Sequence, residues 1–355
     1  MSFLTAAAGY TPQRFDSMAY VLTAKKNVLV QAGVIVPSRK LDAIMSNGGV
    51  IFDLPFWNDV ANVADRVSNS TAIANLFSGG AVYPTPEGLT SSKMVAVRLC
   101  RNQSWGANDL QDTINLDGDP MGFIASRFST YQSWKLQEVF LAECAGIFAD
   151  NDANPSGSEH VAGDLTLDIS NANGVGIFTP GVTTFGAAAH IKATQLLGDN
   201  KGDLAVALMH SIIESSIALQ DLVETIRDSE GKIQYKTFMG MRIVIDDDMT
   251  SPSVGVYDTY YFGLGAFVMG RSTPKKPLAY ERYEGAGNGA GGEALYQRWE
   301  WCVHPLGHKW TIASTEGGPT NAATAGNLAH LDSWQRVYPE RKQIKIVRVR
   351  TREHT

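Results

Sequence analysis

The chain has 355 residues, 44% of them apolar, and its 30 lysines and arginines against 36 aspartates and glutamates leave a net charge of −6. That apolar content excludes wholesale disorder, and the acidic balance excludes a dedicated nucleic-acid binder, which needs a basic surface to displace counterions. The length exceeds what one core ordinarily supports, so two lobes, or one core with large excursions, are expected.

Residues 1–50 show short, extended apolar pieces (Tyr20-Val-Leu22, Val28-Leu-Val-Gln-Ala-Gly-Val-Ile-Val36) with no strong period. Gly49-Val-Ile-Phe-Asp-Leu-Pro-Phe-Trp57 reads as a strand ending at Pro55, and Ser92-Lys-Met-Val-Ala-Val-Arg-Leu-Cys-Arg101 as its partner. The link between them, Val60 to Thr90, is small, polar and rich in turn residues, too long for a compact hairpin and better suited to an extended arm. Asp119 as N-cap and Pro120 at the first helical position then open a helix running to about Asp150. Its apolar stripe passes through Ile124, Phe128 and Tyr131, then Leu136, Phe140, Cys144 and Ile147. Further on, helices are expected over 183–197, closed by Gly198, and over 211–226. Strands are expected over 204–209, 233–238, 241–245 and 260–269. The order is α+β with interleaved elements and no regular βαβ alternation.

The segment Tyr283-Glu-Gly-Ala-Gly-Asn-Gly-Ala-Gly-Gly-Glu293 places Gly287, Gly289 and Gly292 at the spacing of a dinucleotide-binding turn. Such a turn needs a buried strand before it and a helix after it. Here a charged, aromatic stretch (278–284) precedes it and a β-prone one (295–303) follows, so the expected structure is a hairpin with a glycine tip. Cys302, His304 and His308 imitate zinc spacing, but Pro305 and Gly307 between the histidines make a turn joining two strands. Asp246-Asp-Asp248 reads as a solvated strand end. Asp150, Asp152 and Asn154 fail as a calcium loop because Pro155 and Val161 stand at two required positions. The basic stretch Arg341–Arg350 reads as a strand with its charges turned to solvent. No common nucleophile, metalloprotease, redox or phosphate-loop motif occurs, so no catalytic residue, cofactor or metal is expected.

Three cysteines, Cys100, Cys144 and Cys302, are odd in number and far apart, which suits reduced thiols. Residues 1–10 lack the basic region of a signal peptide, and the uncharged stretch 259–270 is too short to cross a bilayer, so a cytoplasmic setting is expected.

Several stretches together resemble the major capsid proteins of tailed bacteriophages. They are Gly49–Asp59, Arg101–Leu110, Asp119-Pro-Met121 with the long helix ending Ala145-Gly-Ile-Phe148, Val244–Met249, and His304-Pro-Leu-Gly307. Their order covers the chain from about Tyr10 to Arg350. The resemblance implies an α+β Hong Kong 97-type capsid fold. Its parts would be an N-terminal arm (1–48), an extended loop (49–112), a peripheral domain with a spine helix (113–200), an axial domain (201–272), a peripheral-domain hairpin (273–315) and a C-terminal segment returning to the axial domain (316–355).

It further implies a protein that self-assembles through pentamers and hexamers into the icosahedral shell around a phage's double-stranded DNA, without specific DNA binding and without a membrane. A portal protein is an implied partner, with a decoration protein and a separate scaffolding protein as further candidates. Assembly in the host cytoplasm and residence in the virion capsid follow from the same resemblance. Implied contact residues between subunits are Ile73, Leu76, Phe77, Val82 and Tyr83 in the arm, Trp57, Arg98 and Trp105 beside it, and the tip glycines. A nanocompartment shell of the same fold is the first alternative; a nucleotide-dependent enzyme using the Gly285–Gly292 loop is the second.

Overall fold

Leu204-Ala-Val-Ala-Leu-Met209 contains no side chain that needs water, and it lies at the centre of a sheet. In the computed structural model it is strand β6 of a seven-stranded sheet. Across that sheet the order is β5 (Thr166–Asp168), β16 (Ile346–Arg352), β10 (Val256–Gly263), β6, β9 (Met241–Ile245), β8 (Ile233–Phe238) and β7 (Val223–Arg227). The structure describes residues 32–60, 62–65, 87–109, 120–154, 160–227, 233–249, 252–313 and 316–354.

A five-stranded sheet is organised by the 14-residue β13 (Gly292–Pro305). Along one edge β13 pairs first with β12 (Leu278–Tyr283) and then with β11 (Phe267–Ser272); along the other it pairs with β4 (Leu99–Asn108). The short β1 (Ile35–Pro37) adds in parallel to β11. Helix α1 (Arg39–Ser46) follows β1 and is capped by the Ser38 hydroxyl, which accepts from the Leu41 amide.

The long helix is α2, Pro120–Ala153, 34 residues and therefore about 51 Å long. Its aromatic stripe binds the two sheets together. Near its start Phe128 and Tyr131 pack on Trp105 of β4 at centroid distances of 4.8 and 4.9 Å. Further along, Phe140 meets both Phe262 of β10 (5.2 Å) and Phe267 of β11 (4.6 Å), and Phe148 stacks on Tyr260 (5.3 Å). Instead of two lobes with separate cores, one continuous apolar cluster runs from β1 to β16.

Several expectations are corrected. The helix expected over 211–226 is α4, Ser211–Leu219; Asp221 turns the chain at φ +56° and Val223–Arg227 becomes edge strand β7. Its β-branched Val223, Thr225 and Ile226 pair with β8 more favourably than they would propagate a helix. The helix expected over 183–197 is α3, Ala187–Thr194, which tightens into 3-10 turns through Asp203 around Gly198. The single strand expected over 260–269 is two, β10 and β11, in different sheets, because the chain crosses between sheets at Gly263-Leu-Gly265. The strand expected over 92–101 breaks at Arg98 into β3 (Ser91–Val97) and β4.

Candidate functional site

Strand β2 (Ile51–Trp57) pairs with β3 from Ile51↔Val97 to Trp57↔Ser91, and this ribbon is a two-stranded sheet of its own. Its inner end is anchored: Phe52 and Ala96 are buried with Leu41, Met45 and Cys302. Toward its outer end Phe56 meets the Tyr338 ring edge-on at 5.5 Å, while Trp57 beside it is 71% exposed. An indole so exposed covers nothing in its own subunit. The implied contact residues Ile73, Leu76, Phe77, Val82 and Tyr83 lie outside the described residues, as do Asp119 and the rest of 110–119.

Arg98 sits at the break between β3 and β4, and its partners are internal. Its guanidinium pairs with Glu300 of β13 at 3.0 Å, donates to the Met45 carbonyl, and lies 5.3 Å from the Phe52 ring centroid. Trp105 is half-buried between α2 and β13.

The glycine-rich segment forms the β12–β13 hairpin, with Tyr283↔Gly292 as its last pair. No helix follows it, so the geometry of a dinucleotide turn is not present there. Gly287 (φ +61°), Gly289 (φ +89°) and Gly291 (φ +83°) occupy the left-handed region. Gly292 instead begins the strand and is buried. The residue that needs glycine at the end of the turn is Gly291, one position earlier than the motif spacing indicated. Arg282 organises the tip: its guanidinium holds Asp109 (2.5 Å), Glu284 (2.6 Å) and Glu293 (2.6 Å). On the opposite face Tyr283 donates to Glu281 and contacts the Tyr296 hydroxyl at 2.8 Å.

The remaining sequence candidates are structural. His304 and His308 flank the turn at Gly307 (φ +86°), joining β13 to β14 (His308–Trp310). Both are buried, which holds their imidazoles neutral and lowers their pKa to about 4 and about 3; the Arg336 guanidinium adds to the effect on His308. No group of three or more histidines, cysteines or carboxylates that could hold a metal occurs among the described residues.

Of the aspartates expected at a solvated strand end, Asp246 is buried and accepts from Gln137 of α2, while Asp247 accepts the Ser211 amide at the start of α4. The basic stretch is likewise corrected. Arg348 and Arg352 are buried; Arg350 makes a two-pronged pair with Asp258 (2.8 and 2.9 Å), and Arg348 pairs with Asp152. Ion pairing here offsets the desolvation that sequence alternation would have avoided by exposure.

One group escaped the sequence reading altogether. Glu143, in the middle of α2, is fully buried, and among the described residues neither carboxylate oxygen has a hydrogen-bond partner. Burial raises its pKa well above the ordinary carboxylate value. An open groove of about 690 Å³ lies between the segment 178–184 and α4, lined by Phe178, Pro180, Ile212 and the 90% exposed Leu219. No helix among the described residues is long and apolar enough to cross a membrane.

No protein-family profile matches the sequence. The chain is similar to the major capsid protein of Bacillus phage SPP1, with 28% identity over 360 aligned residues that take in 99% of each protein. In three dimensions it is similar to the capsid of Ralstonia phage GP4, with TM-score 0.55, 9% identity, and 92% of this chain and 91% of that one covered. It is also similar to a chain of the cyanophage Pam1 capsid asymmetric unit, with TM-score 0.50, 10% identity, and 86% and 85% covered. The mixed sheets and the long helix are thus those of the Hong Kong 97-type capsid fold of tailed phages. The sequence likeness to a phage major capsid protein runs end to end.

Proposed function

We propose that this protein assembles with copies of itself into the closed shell that encloses a phage's double-stranded DNA. The observation that carries the reading is the pair of β-elements with exposed ends on a well-packed body: the β2–β3 ribbon, ending at the exposed Trp57, and the β12–β13 hairpin with its glycine tip. A subunit acting alone gains nothing from exposing them, whereas a lattice buries them between neighbours and multiplies modest contacts.

In this reading the seven-stranded sheet is the axial domain around capsomer centres, and α2 with the five-stranded sheet is the peripheral domain. The ribbon is the base of the extended loop, and the hairpin tips crowd where subunits meet. Pentamers and hexamers form in the host cytoplasm and end in the virion. A portal protein occupies one vertex, and separate scaffolding and decoration proteins are further candidate partners. The net charge of −6 suits a shell that contains DNA without gripping it. The relatives are structural proteins, and no catalytic role is proposed. The test is sedimentation and negative-stain imaging of the expressed full chain, alone and with phage-encoded assembly factors. Closed shells, tubes or capsomers are expected; a monomer persisting at high concentration in every case overturns the reading.

A further inference from the structure

The β12–β13 hairpin is electrically divided along its length. The tip gathers Asp109, Glu281, Glu284 and Glu293 with a single cation, Arg282, which leaves a local charge of −3 by count. Arg282 is saturated, since its guanidinium already holds Asp109, Glu284 and Glu293. Glu281 stands on the other face, where it accepts from the Tyr283 hydroxyl. At the base, Lys275, Lys276 and Arg298 are exposed and contribute +3 by count. Arg298 donates its amide to the Pro277 carbonyl and its guanidinium to the Lys276 carbonyl, which fastens the lysine-bearing turn to β13. No carboxylate among the described residues forms an ion pair with these three cations.

The two ends do not reach each other within one subunit. Glu281 lies opposite Ala294, and Arg298 is four residues further along the same face of β13. At 3.3 Å per residue that is about 13 Å, beyond an ion pair and beyond the Debye length of roughly 8–10 Å at ordinary ionic strength. A surface carrying equal and opposite surpluses at its two ends is complementary to a shifted copy of itself. Such a contact joins different patches on the two partners, so it can repeat from subunit to subunit and close into a ring or sheet.

We infer that the acidic hairpin tip of one subunit, Glu281 and Glu284, docks on the basic hairpin base, Lys275 and Lys276 with Arg298, of a second copy of this chain. The contact steers assembly and fixes the register between neighbouring hairpins. The exposed rings of Tyr280 (40%) and Tyr283 (42%) flank the charges and supply apolar area to the same contact. This rests on the shell reading above and names which surfaces meet within it.

Charge reversal tests the pairing under conditions where the parent chain forms shells or tubes. One variant carries Glu281→Lys with Glu284→Lys, a second Lys275→Glu with Lys276→Glu, and a third all four changes. All four side chains are exposed, and circular dichroism with thermal unfolding checks that each variant folds. Each two-site variant is expected to lose assembled mass by about tenfold or more, whereas the four-site chain, with its polarity inverted but complementary, regains it. Adding salt is expected to slow parent assembly and to lessen the defect of the two-site variants. Normal assembly of both two-site variants, or folded four-site chains that stay unassembled, overturns the inference while leaving the shell reading intact. A parent chain that assembles under no condition overturns the shell reading and this inference with it.

Discussion

Gly146 of α2 packs directly against the backbone carbonyl of Leu328: a methyl group at position 146 would lie 2.1 Å from that oxygen and 2.7 Å from the Trp334 ring. The loop is held there because the Trp334 indole donates to the Leu328 carbonyl at 2.7 Å. A glycine inside a helix costs about 1 kcal/mol relative to alanine, and here it permits a buried close approach of backbone. Gly146→Ala is therefore expected to destabilise the subunit by about 1–3 kcal/mol despite its better helix propensity. Gly202→Ala, where nothing lies within 4 Å of the added carbon, is the control and should leave the denaturation midpoint nearly unchanged. Equal midpoints for the two variants would refute the close-packing account.

The Asp258 carboxylate is 5% exposed and takes both prongs of Arg350, with an Arg348 nitrogen 3.9 Å away. Removing it strands the Arg350 guanidinium, while Arg348 keeps its pair with Asp152. Asp258→Ala should cost about 3–5 kcal/mol in chemical denaturation. A loss under about 1 kcal/mol would mean that solvent reaches Arg348 and Arg350 more freely than their burial indicates.

These two sites also mark how far sequence reading extends. Strand β16 was legible because Ile346, Val347 and Val349 supply an apolar run, and α2 because of its stripe and Pro120. What alternation did not reveal was where the arginines go. Arg348 and Arg352 are buried because Asp152, Asp258 and the carbonyl of Ser170, all distant in sequence, meet them in the fold. Gly146 was invisible for the same reason, since Leu328 approaches from 182 positions away, the difference of the two residue numbers. The hairpin was legible from its flanks, but the choice of Gly291 over Gly292 depends on register, which motif spacing does not encode. Of the implied contact residues, Trp57 is free for a neighbour, whereas Arg98 already has internal partners.

Stability should fall on both sides of a pH optimum, and the signs follow from the buried groups. His304 and His308 are neutral in the fold, with pKa lowered to about 4 and about 3 from an ordinary 6.5. Their contribution is complete above 6.5 and is lost as pH falls from there toward 4 and 3, because the unfolded chain takes up the protons first. Glu143 acts oppositely: its folded pKa is raised, so its contribution is complete below the ordinary 4.5 and is lost as pH rises toward the folded value. Each proton of difference gives a slope of about 1.4 kcal/mol per pH unit. Urea midpoints measured from pH 3.5 to 9 should show Glu143→Gln flattening the limb above pH 4.5 and His308→Gln flattening the acidic limb. Parallel curves for variants and parent would exclude these groups as the source.

The β2–β3 ribbon carries the long 60–90 segment at its outer end. The ladder is still paired there, with the Asn58 amide donating to the Thr90 carbonyl at 3.0 Å, while Trp57 stands 71% exposed beside it. The roughly thirty residues between have few apolar side chains, and ordering them costs about 1–2 kcal/mol per residue in backbone entropy. Contacts with a neighbouring subunit are the available offset. Replacing Ala64–Glu87 with a short Gly-Ser turn should therefore leave circular dichroism near that of the parent, because the ribbon's inner end stays anchored through Phe52 and Ala96. Sedimentation should show subunits or loose capsomers in place of shells. Trp57→Ser should weaken assembly in the same direction with little change in the thermal midpoint, since the exposed ring stabilises nothing in its own chain. Shells of normal size and stability from the shortened chain would remove the arm from assembly, and global unfolding would instead place those residues in the subunit's own core.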